Sequence, residues 1–238
     1  MRSKYKLSQY FAEFIGTFFL IFFGCGSMVL AEVNPSYDSG FIPVIWGGAV
    51  LIMIYAVGHI SGAHFNPAVT LSFWVTRKFP SNKLLGYLSF QVMGGLLACL
   101  ALRFIFGGDH HFGATVFTTS VQGAFVVELI LSFALMFVIM SVATDARAVG
   151  ELAGIAIGAT VGLCAFVGGP LTNASMNPAR SIAPAIFSGD ITHLWLYILS
   201  PIIGAILGAK TYEWIRCQKI LSDTEKLEKE DSSKHGCC

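Results

Sequence analysis

Long apolar stretches separated by short polar segments dominate the sequence. Six of them are long enough to cross a hydrocarbon layer about 30 Å thick, because a helix rises about 1.5 Å per residue. The first apolar run is longer than the core of a signal peptide, and further spans follow it, so we interpret it as a spanning helix. The pattern predicts six transmembrane helices, near 9–30, 42–58, 84–106, 121–143, 150–167 and 193–215.

Charged residues are scarce, which excludes a soluble protein. Only 12% of the residues are charged and 55% are hydrophobic, whereas soluble domains contain about 25% charged residues. The formal net charge of +1 gives no field that would attract nucleic acid. The composition therefore indicates an all-α membrane protein whose main partner is the lipid bilayer, and we expect no nucleic-acid partner.

No motif in the sequence is typical of an enzyme or a metalloprotein. The six cysteines lack the spacing of a metal site, and His59 and His64 have no third ligand nearby in the sequence. We find no Ser-His-Asp set and no phosphate-binding loop. We therefore expect no catalytic residue, no metal and no cofactor, and predict that the protein is not an enzyme.

The distribution of basic residues predicts the orientation of the chain. With six spans, every Lys and Arg except Arg103 and Arg180 lies on the side of the membrane that holds the N-terminus. Basic residues favour the cytoplasmic side, and an even number of spans returns the chain to the same side. We expect a multi-pass protein of the plasma or inner membrane, with a cytoplasmic N-terminus over 1–8 and a charged cytoplasmic tail over 216–238.

The two halves of the chain resemble each other. The segments SGAHFNPAVT and TNASMNPARS share the tripeptide Asn-Pro-Ala, and the sequences around Glu13 and Glu128 are also similar. This similarity indicates an internal repeat, with one copy over 9–110 and the other over 111–215. Because each copy has three spans, the second copy enters the membrane inverted, and the functional centre is expected near the midplane at the repeat interface.

A segment in each repeat is too short to span the membrane. Residues 66–76 and 177–187 reach about 15 Å as helices, which is half of the hydrocarbon thickness. Asn is a favoured N-cap and Pro suits the first helical position, so both segments are predicted to be re-entrant half-helices. Their positive N-terminal ends are expected to meet at the midplane, at residues Asn66, Pro67, Ala68, Asn177, Pro178 and Ala179.

An irregular run precedes each half-helix, over 58–65 and over 168–176. Non-helical backbone at membrane depth is tolerated only where it is buried in protein or lines a water-filled cavity. The sequence therefore predicts a pore with carbonyl acceptors on its wall and amide donors at its centre, which suits small neutral solutes and disfavours cations. The carbonyl groups expected to line it belong to Gly62, Ala63, His64, Asn173, Ala174 and Ser175.

Together, the paired Asn-Pro-Ala boxes, the repeat and the two glutamates resemble the aquaporin (major intrinsic protein) family. The segments QGAFVVELILSFALMF and GGPLTNASMNPARS are similar to the plant nodulin-like, aquaglyceroporin-type branch, whereas the short ends resemble bacterial members and suggest a bacterial source. The resemblance implies six transmembrane helices with two re-entrant half-helices, and a homotetramer. It also implies that Glu13 and Glu128 support the re-entrant loops as buried hydrogen-bond acceptors.

The resemblance further implies a selectivity filter above the Asn-Pro-Ala centre. Water-selective members usually have Phe and His at two of its positions, where this chain has Trp and Ala. These residues imply a wider aperture with an apolar wall, beside a guanidinium that donates to hydroxyl groups. The implied solutes are glycerol, water and metalloid hydroxides such as arsenite or boric acid, with ions and protons excluded. Counted from the motifs, the filter consists of Trp46, Ala165, Ala174 and Arg180.

Two other functions remain open from the sequence. Ser181 and Ala185 follow the pattern of water channels, since glycerol facilitators tend to have Asp and Lys there, so a strictly water-selective aquaporin is one alternative. A membrane junction or scaffold protein with a vestigial pore is the second. The intact Asn-Pro-Ala boxes and Arg180 argue against that second alternative.

Overall fold

The described part of the chain folds into a bundle of eight α-helices. The computed structural model describes residues 2–108, 110–144 and 150–216, and within these ranges it has no strand. Six helices are long and apolar enough to cross a membrane, which confirms the all-α membrane fold predicted from hydropathy. In chain order the helices are α1 (Arg2–Val33), α2 (Ile42–Ser61), α3 (Pro67–Val75), α4 (Ser81–Phe106), α5 (Val121–Thr144), α6 (Ala153–Thr172), α7 (Pro178–Ser188) and α8 (Leu194–Ile215).

The ends of the chain differ in how far the structure describes them. Residues 2–8, which were predicted to precede the first span, already belong to α1. The predicted charged tail, 216–238, lies outside the described residues except for Arg216.

The two halves of the chain pack in the same way. In the first half α1 packs against α2 and α4, and in the second half α5 packs against α6 and α8. The short helices cross over, because α3 packs mainly against α8 and α7 packs mainly against α4. The corresponding helices α2 and α6 pack against each other. Each half-helix is therefore held largely by the other half of the chain.

Glycines allow the long helices to pack in backbone contact. A Cβ atom on Gly94 of α4 would collide with a backbone carbonyl oxygen of α1, and a Cβ atom on Gly204 of α8 would collide with one of α5. These two glycines are equivalent in the repeat. A Cβ atom on Gly158 of α6 would likewise collide with the carbonyl oxygen of Gly47 in α2. The close contacts bring the helices together around the centre of the bundle.

The irregular runs before the half-helices are shorter than predicted. The predicted span 42–58 continues as α2 to Ser61, and the predicted span 150–167 continues as α6 to Thr172. The prediction that the irregular backbone begins at residues 58 and 168 was therefore wrong. Only a few residues in each repeat separate the end of a long helix from the start of a half-helix.

Local chemistry explains where these two helices end. Gly62 and Asn173 adopt the left-handed backbone conformation and cap α2 and α6, and each donates its N–H to the carbonyl oxygen four residues earlier. Helix α6 continues through Pro170, whose ring crowds the preceding Gly169 less than it would crowd a residue with a Cβ atom. The hydropathy pattern alone does not reveal such ends.

Candidate functional site

The two Asn-Pro-Ala tripeptides form the beginnings of α3 and α7. Asn66 Oδ1 accepts a hydrogen bond from the N–H of Ala68 at 2.8 Å, and Asn177 Oδ1 accepts one from the N–H of Ala179 at 3.0 Å. A proline, Pro67 or Pro178, occupies the first helical position of each. It loses nothing there because that N–H has no partner within a helix. Each helix thus begins with a side-chain cap and a positive dipole end.

The capping asparagines also connect the two repeats. Asn66 Nδ2 donates to the carbonyl oxygen of Met176 at 2.8 Å, and Asn177 Nδ2 donates to the carbonyl oxygen of Phe65 at 2.9 Å. A primary amide has two N–H groups, so each of these bonds uses one of them. The other N–H of each asparagine remains for a molecule in the cavity that both residues line.

The irregular segments adopt a backbone conformation that residues with a side chain rarely occupy. The φ angles are +52° at Ala63 and +51° at Phe65, and +45° at Ala174 and +53° at Met176. These pairs are equivalent in the repeat, so the same conformation occurs twice. Each such residue costs about 1–3 kcal/mol and persists only where the surrounding structure fixes it.

Glu13 of α1 fixes the first irregular segment. Its side chain is fully buried, and Oε1 accepts hydrogen bonds from Ser61 Oγ at 2.6 Å and from the N–H of His64 at 3.0 Å. Oε2 accepts from the N–H of Phe65 and from Gln91 Nε2, both at 2.7 Å. One carboxyl group thereby satisfies donors from three elements of the chain.

Glu128 of α5 fixes the second irregular segment in the same way. It is also fully buried. Oε1 accepts from Thr172 Oγ1 at 2.7 Å and from the N–H of Ser175 at 2.8 Å, while Oε2 accepts from the N–H of Met176 at 2.9 Å. Both re-entrant segments are thus held by a glutamate from inside the bundle.

A cavity of about 540 Å³ lies between the repeats. Along α2 its wall extends from Trp46 to His59, a distance of about 20 Å in a helix. Tyr55 donates a hydrogen bond to the carbonyl oxygen of Glu151 at 2.8 Å, and both residues belong to the wall. Residues of the irregular segments and both capping asparagines also line it, namely Gly62, Ala63, His64, Asn66, Ala174, Ser175 and Asn177.

Asn173 is the one residue of the predicted carbonyl set that lies outside this wall. It caps α6, and its Oδ1 accepts a hydrogen bond from the N–H of Val116 at 3.1 Å. Thr118, two residues after Val116, is also hydrogen-bonded to the last turn of α6. Its Oγ1 donates to the carbonyl oxygen of Pro170, and its N–H donates to that of Leu171. Asn173 therefore connects the re-entrant segment to the loop between α4 and α5.

The four predicted filter residues all line the cavity. Arg180 is only 1% exposed, and its Nη1 donates to the carbonyl oxygen of Gly113 at 2.5 Å. The guanidinium carbon lies 4.8 Å from the centre of the Trp46 ring, within the range of a cation–π contact. Ala165 and Ala174 contribute small apolar groups to the same wall. These four residues thus give the cavity wall one cation, one indole and two methyl groups.

His64 lies in this wall without forming a metal site. Its Nδ1 is 3.0 Å from Thr70 Oγ1, and its ring packs against those of Phe73, Phe79 and Tyr87. In the described part of the chain, no three His, Cys, Asp or Glu side chains come close enough to hold a metal ion. The imidazole is therefore held by an aromatic cluster and one hydroxyl group.

Several supporting residues were not predicted from the sequence. Gln91 is fully buried and bridges Glu13 to Thr70, to which its Nε2 donates at 2.9 Å. The repeat gives no signal for it, because its counterpart is a proline. Ser61 and Thr172 have the same separation as the two capping asparagines, so the repeat could have identified these two residues.

Comparison with known proteins agrees with this geometry. Residues 1–212 match the family described as Major intrinsic protein. The chain is 49% identical over 212 residues to Aquaporin NIP1-1 from Zea mays, covering 88% of this chain and 75% of that protein. It is 49% identical over 226 residues to Nodulin-26 from Glycine max, covering 92% of this chain and 82% of that protein.

The fold also has a close counterpart among solved structures. The aquaglyceroporin from Plasmodium falciparum superposes with a TM-score of 0.79, covering 89% of this chain and 97% of that chain. At 24% sequence identity this likeness concerns the fold alone. The sequence matches carry the assignment further, because they extend over both repeats and both Asn-Pro-Ala boxes. The chain belongs to the major intrinsic protein family, the aquaporins, and is a membrane channel rather than an enzyme.

Proposed function

We propose that this channel conducts glycerol and water, together with neutral metalloid hydroxides such as arsenous and boric acid, and that it excludes ions and protons. The observation that carries the proposal is the filter section of the cavity. The Arg180 guanidinium lies over the Trp46 ring, and the other two proposed filter residues, Ala165 and Ala174, line the same cavity. A polyol has a carbon face and a hydroxyl face, and this section offers a surface of matching chemistry to each.

The donors of Arg180 support a hydroxylated solute. A guanidinium has five N–H groups, and the described residues accept hydrogen bonds from two of its nitrogens, Nη1 and Nη2. The remaining donor capacity suits a solute hydroxyl group or water. Two methyl groups in the same wall leave space for a molecule larger than water, and the indole supports its carbon atoms.

The centre of the cavity supports the exclusion of cations. Two helix N-termini, each equivalent to about half a positive charge, begin at Asn66 and Asn177, which both line the cavity. The positive guanidinium of Arg180 lines the cavity as well. A metal cation or hydronium ion would be repelled by these positive charges. A neutral molecule loses nothing by approaching them.

The strictly water-selective alternative depends on Ser181 and Ala185, which lie outside the wall of the central cavity. Ser181 is fully buried, with its Oγ 2.6 Å from Ser175 Oγ. Ala185 lines a separate cavity of about 250 Å³ together with Asp190 and Tyr197. Neither side chain is positioned to contact a solute in the central cavity, so we give the filter residues more weight.

The proposal extends to the assembly and location of the channel. We place it as a homotetramer in the plasma or inner membrane, with both termini in the cytoplasm. Large apolar side chains on the outside of the bundle support this, such as Phe104 and Trp214, which are 91% and 84% exposed. Such surfaces require lipid or a second subunit. The same reasoning disfavours a scaffold with a vestigial pore, since the 540 Å³ cavity is not filled by side chains.

Stopped-flow light scattering on proteoliposomes tests the solute class. A sucrose gradient reports water efflux as shrinkage, and a glycerol gradient reports glycerol entry as re-swelling. We expect both fluxes well above those of protein-free liposomes. Water flux without re-swelling would favour the water-selective alternative, and the absence of both would favour a scaffold protein. Arsenous and boric acid gradients extend the panel to the metalloids.

The double substitution Trp46→Phe with Ala165→His tests the filter assignment in the same assay. The imidazole fills space that a methyl group leaves open and adds a hydrogen-bonding group, and the smaller Phe ring removes part of the apolar wall. We expect glycerol permeability to fall by about tenfold or more, since one methylene in a binding pocket changes selectivity by about 10–200-fold, and water permeability to fall less. Equal losses of both would refute the assignment.

A further inference from the structure

One turn of α1 lies behind the filter section of the cavity. Gly24 admits the ring of Trp46, because a Cβ atom at Gly24 would overlap the indole. Four residues later, Met28 is half-buried, and its Sδ accepts a hydrogen bond from Arg180 Nη2 at 3.3 Å. The two residues lie on the same face of the helix. Gly24 and Met28 therefore contact both large side chains of the proposed filter without themselves lining the cavity.

The guanidinium of Arg180 is held unevenly. Nη1 donates to the carbonyl oxygen of Gly113 at 2.5 Å, whereas Nη2 has only the thioether of Met28. Nε is buried, with no hydrogen-bond partner among the described residues. A thioether sulfur is a weak acceptor. One side of the guanidinium is thus firmly fixed, and the orientation of the other side depends on a single weak bond.

We propose that Met28 is a positioning residue that determines solute specificity: its sulfur sets how far the Arg180 guanidinium reaches into the lumen, and thereby the ratio of glycerol to water permeability. The proposal rests on the proposed function, in which Arg180 is a filter residue. Met28 acts only through Arg180 and does not touch the solute.

Loss of the sulfur has a predictable direction. Leu has nearly the volume of Met but no acceptor, so Nη2 would become a buried donor without a partner. A buried donor without a partner is costly, and water in the cavity that Arg180 lines can supply an acceptor. The guanidinium is therefore expected to turn toward the lumen and narrow it. Narrowing affects glycerol more than water because glycerol is the larger molecule.

Two substitutions at Met28 separate the acceptor from the volume. Met28→Leu removes the acceptor and is expected to lower the glycerol-to-water permeability ratio by roughly twofold or more, the effect of losing a hydrogen bond at the weak end of the usual range. Met28→Gln keeps a side chain of similar length with a carbonyl acceptor and is expected to restore the ratio. Met93→Leu, at a 50% exposed position on α4, is the matched control and leaves the ratio unchanged. All variants are measured in proteoliposomes by stopped flow.

A double substitution identifies the route of the effect. In an Arg180→Ala background, Met28→Leu should change the ratio no further, because its effect passes through the guanidinium. If Met28 acted by packing alone, Met28→Leu would still change the ratio in that background. Equal losses in Met28→Leu and Met28→Gln, an unchanged ratio in Met28→Leu, or a persisting effect without Arg180 would each overturn the proposal.

The same variants distinguish a failure of the role of Met28 from a failure of the proposed filter role of Arg180. If Arg180→Ala leaves the glycerol-to-water ratio unchanged, the filter assignment itself fails. If Arg180→Ala changes the ratio and Met28→Leu does not, only the role of Met28 fails. If Met28→Leu does not fold, Met28→Gln can still contradict the proposal. A glycerol-to-water permeability ratio in Met28→Gln as low as expected for a lost acceptor would do so.

Discussion

Single residues set the aperture of the candidate filter mainly by their size. Ala165 and Ala174 contribute a methyl group each, while Trp46 contributes an indole that is 7% exposed. The indole has room only because Gly24 of α1 has no side chain, since a Cβ atom there would overlap the ring. The position of the indole therefore depends on a residue that does not line the cavity.

Substitution of Gly24 by Ala tests this dependence. The added methyl group collides with the Trp46 ring, and overpacking of this kind costs about 1–3 kcal/mol unless a neighbour moves. The indole can relieve the collision by moving toward the lumen. We expect glycerol permeability in proteoliposomes to fall severalfold, and water permeability to fall less.

Gly48→Ala is the matched control for this substitution. Gly48 lies two residues from Trp46 in α2, and a Cβ atom there has no neighbour within 4 Å. Its glycerol-to-water permeability ratio should equal that of the parent channel. If Gly24→Ala and Gly48→Ala give the same ratio, the indole does not depend on the space at Gly24.

The sequence predicts some of these residues and misses others for a physical reason. Asn66, Asn177 and Arg180 belong to motifs in which neighbouring residues reveal the role of each. Gly113 and Met28 contact Arg180 from a loop and from α1, and nothing in their local sequence distinguishes them. Their roles arise from tertiary packing alone.

At the scale of elements, each re-entrant segment depends on one buried carboxyl group. Glu128 satisfies two backbone N–H groups and a hydroxyl group, and the segment that it holds includes the left-handed residues Ala174 and Met176. The acceptors of Glu128 therefore offset the cost of a strained backbone. The half-helix α7 begins directly after this segment, so its position depends on the same bonds.

Glu128→Gln should destabilise the protein measurably. The amide keeps one oxygen but places an NH₂ group against a donor, so at least one buried N–H loses its acceptor at a cost of about 1–3 kcal/mol. For a chain of this size, 1 kcal/mol shifts the melting temperature by about 2–4 °C. We expect a decrease of roughly 2–12 °C in the thermal midpoint measured by size exclusion in detergent.

Glu213→Gln is the control for the loss of a glutamate charge. Glu213 lies near the end of α8, where its carboxylate is 3.5 Å from Lys78 Nζ and its side chain is 30% exposed. A partly exposed ion pair of this kind contributes about 0–1 kcal/mol. Its midpoint should remain close to that of the parent protein, and an equal decrease in both variants would contradict the specific role of Glu128.

Hydropathy predicts that these elements exist but not where all of them end. The capping asparagines and prolines predicted the starts of α3 and α7 to within one residue of the structure. The ends of α2 and α6 depend on the left-handed conformations of Gly62 and Asn173. The apolar pattern contains no information about φ, so the predicted irregular runs were too long.

At the scale of the whole molecule, the repeat makes the two halves interdependent. Because α3 packs mainly on α8 and α7 mainly on α4, neither half-helix has a complete environment within its own repeat. The amide bonds from Asn66 to Met176 and from Asn177 to Phe65 join the halves again at the centre. The repeat in the sequence predicted this symmetry. The loop between α4 and α5, which reaches Arg180 through Gly113, has no counterpart in the repeat and was not predicted.

Residues on either side of α2 and α3 report the path of the chain through the membrane. Ser36 precedes α2 and Asn82 lies in the first turn of α4, and both are exposed. If α2 spans the membrane and α3 returns to the side that it entered from, these two residues lie on opposite sides. If α3 also crossed, they would lie on the same side.

Single cysteines at these positions, Ser36→Cys and Asn82→Cys, distinguish the two paths. The background carries Ser at Cys217, Cys237 and Cys238 and keeps the buried Cys25, Cys99 and Cys164. With an impermeant maleimide, we expect Ser36→Cys to react in intact cells and Asn82→Cys to react only after permeabilisation, because the basic loops favour the cytoplasmic side. The opposite result would reverse the orientation and keep the fold. Reaction of both in intact cells would mean that α3 crosses the membrane, and the central meeting of two half-helices would no longer be possible.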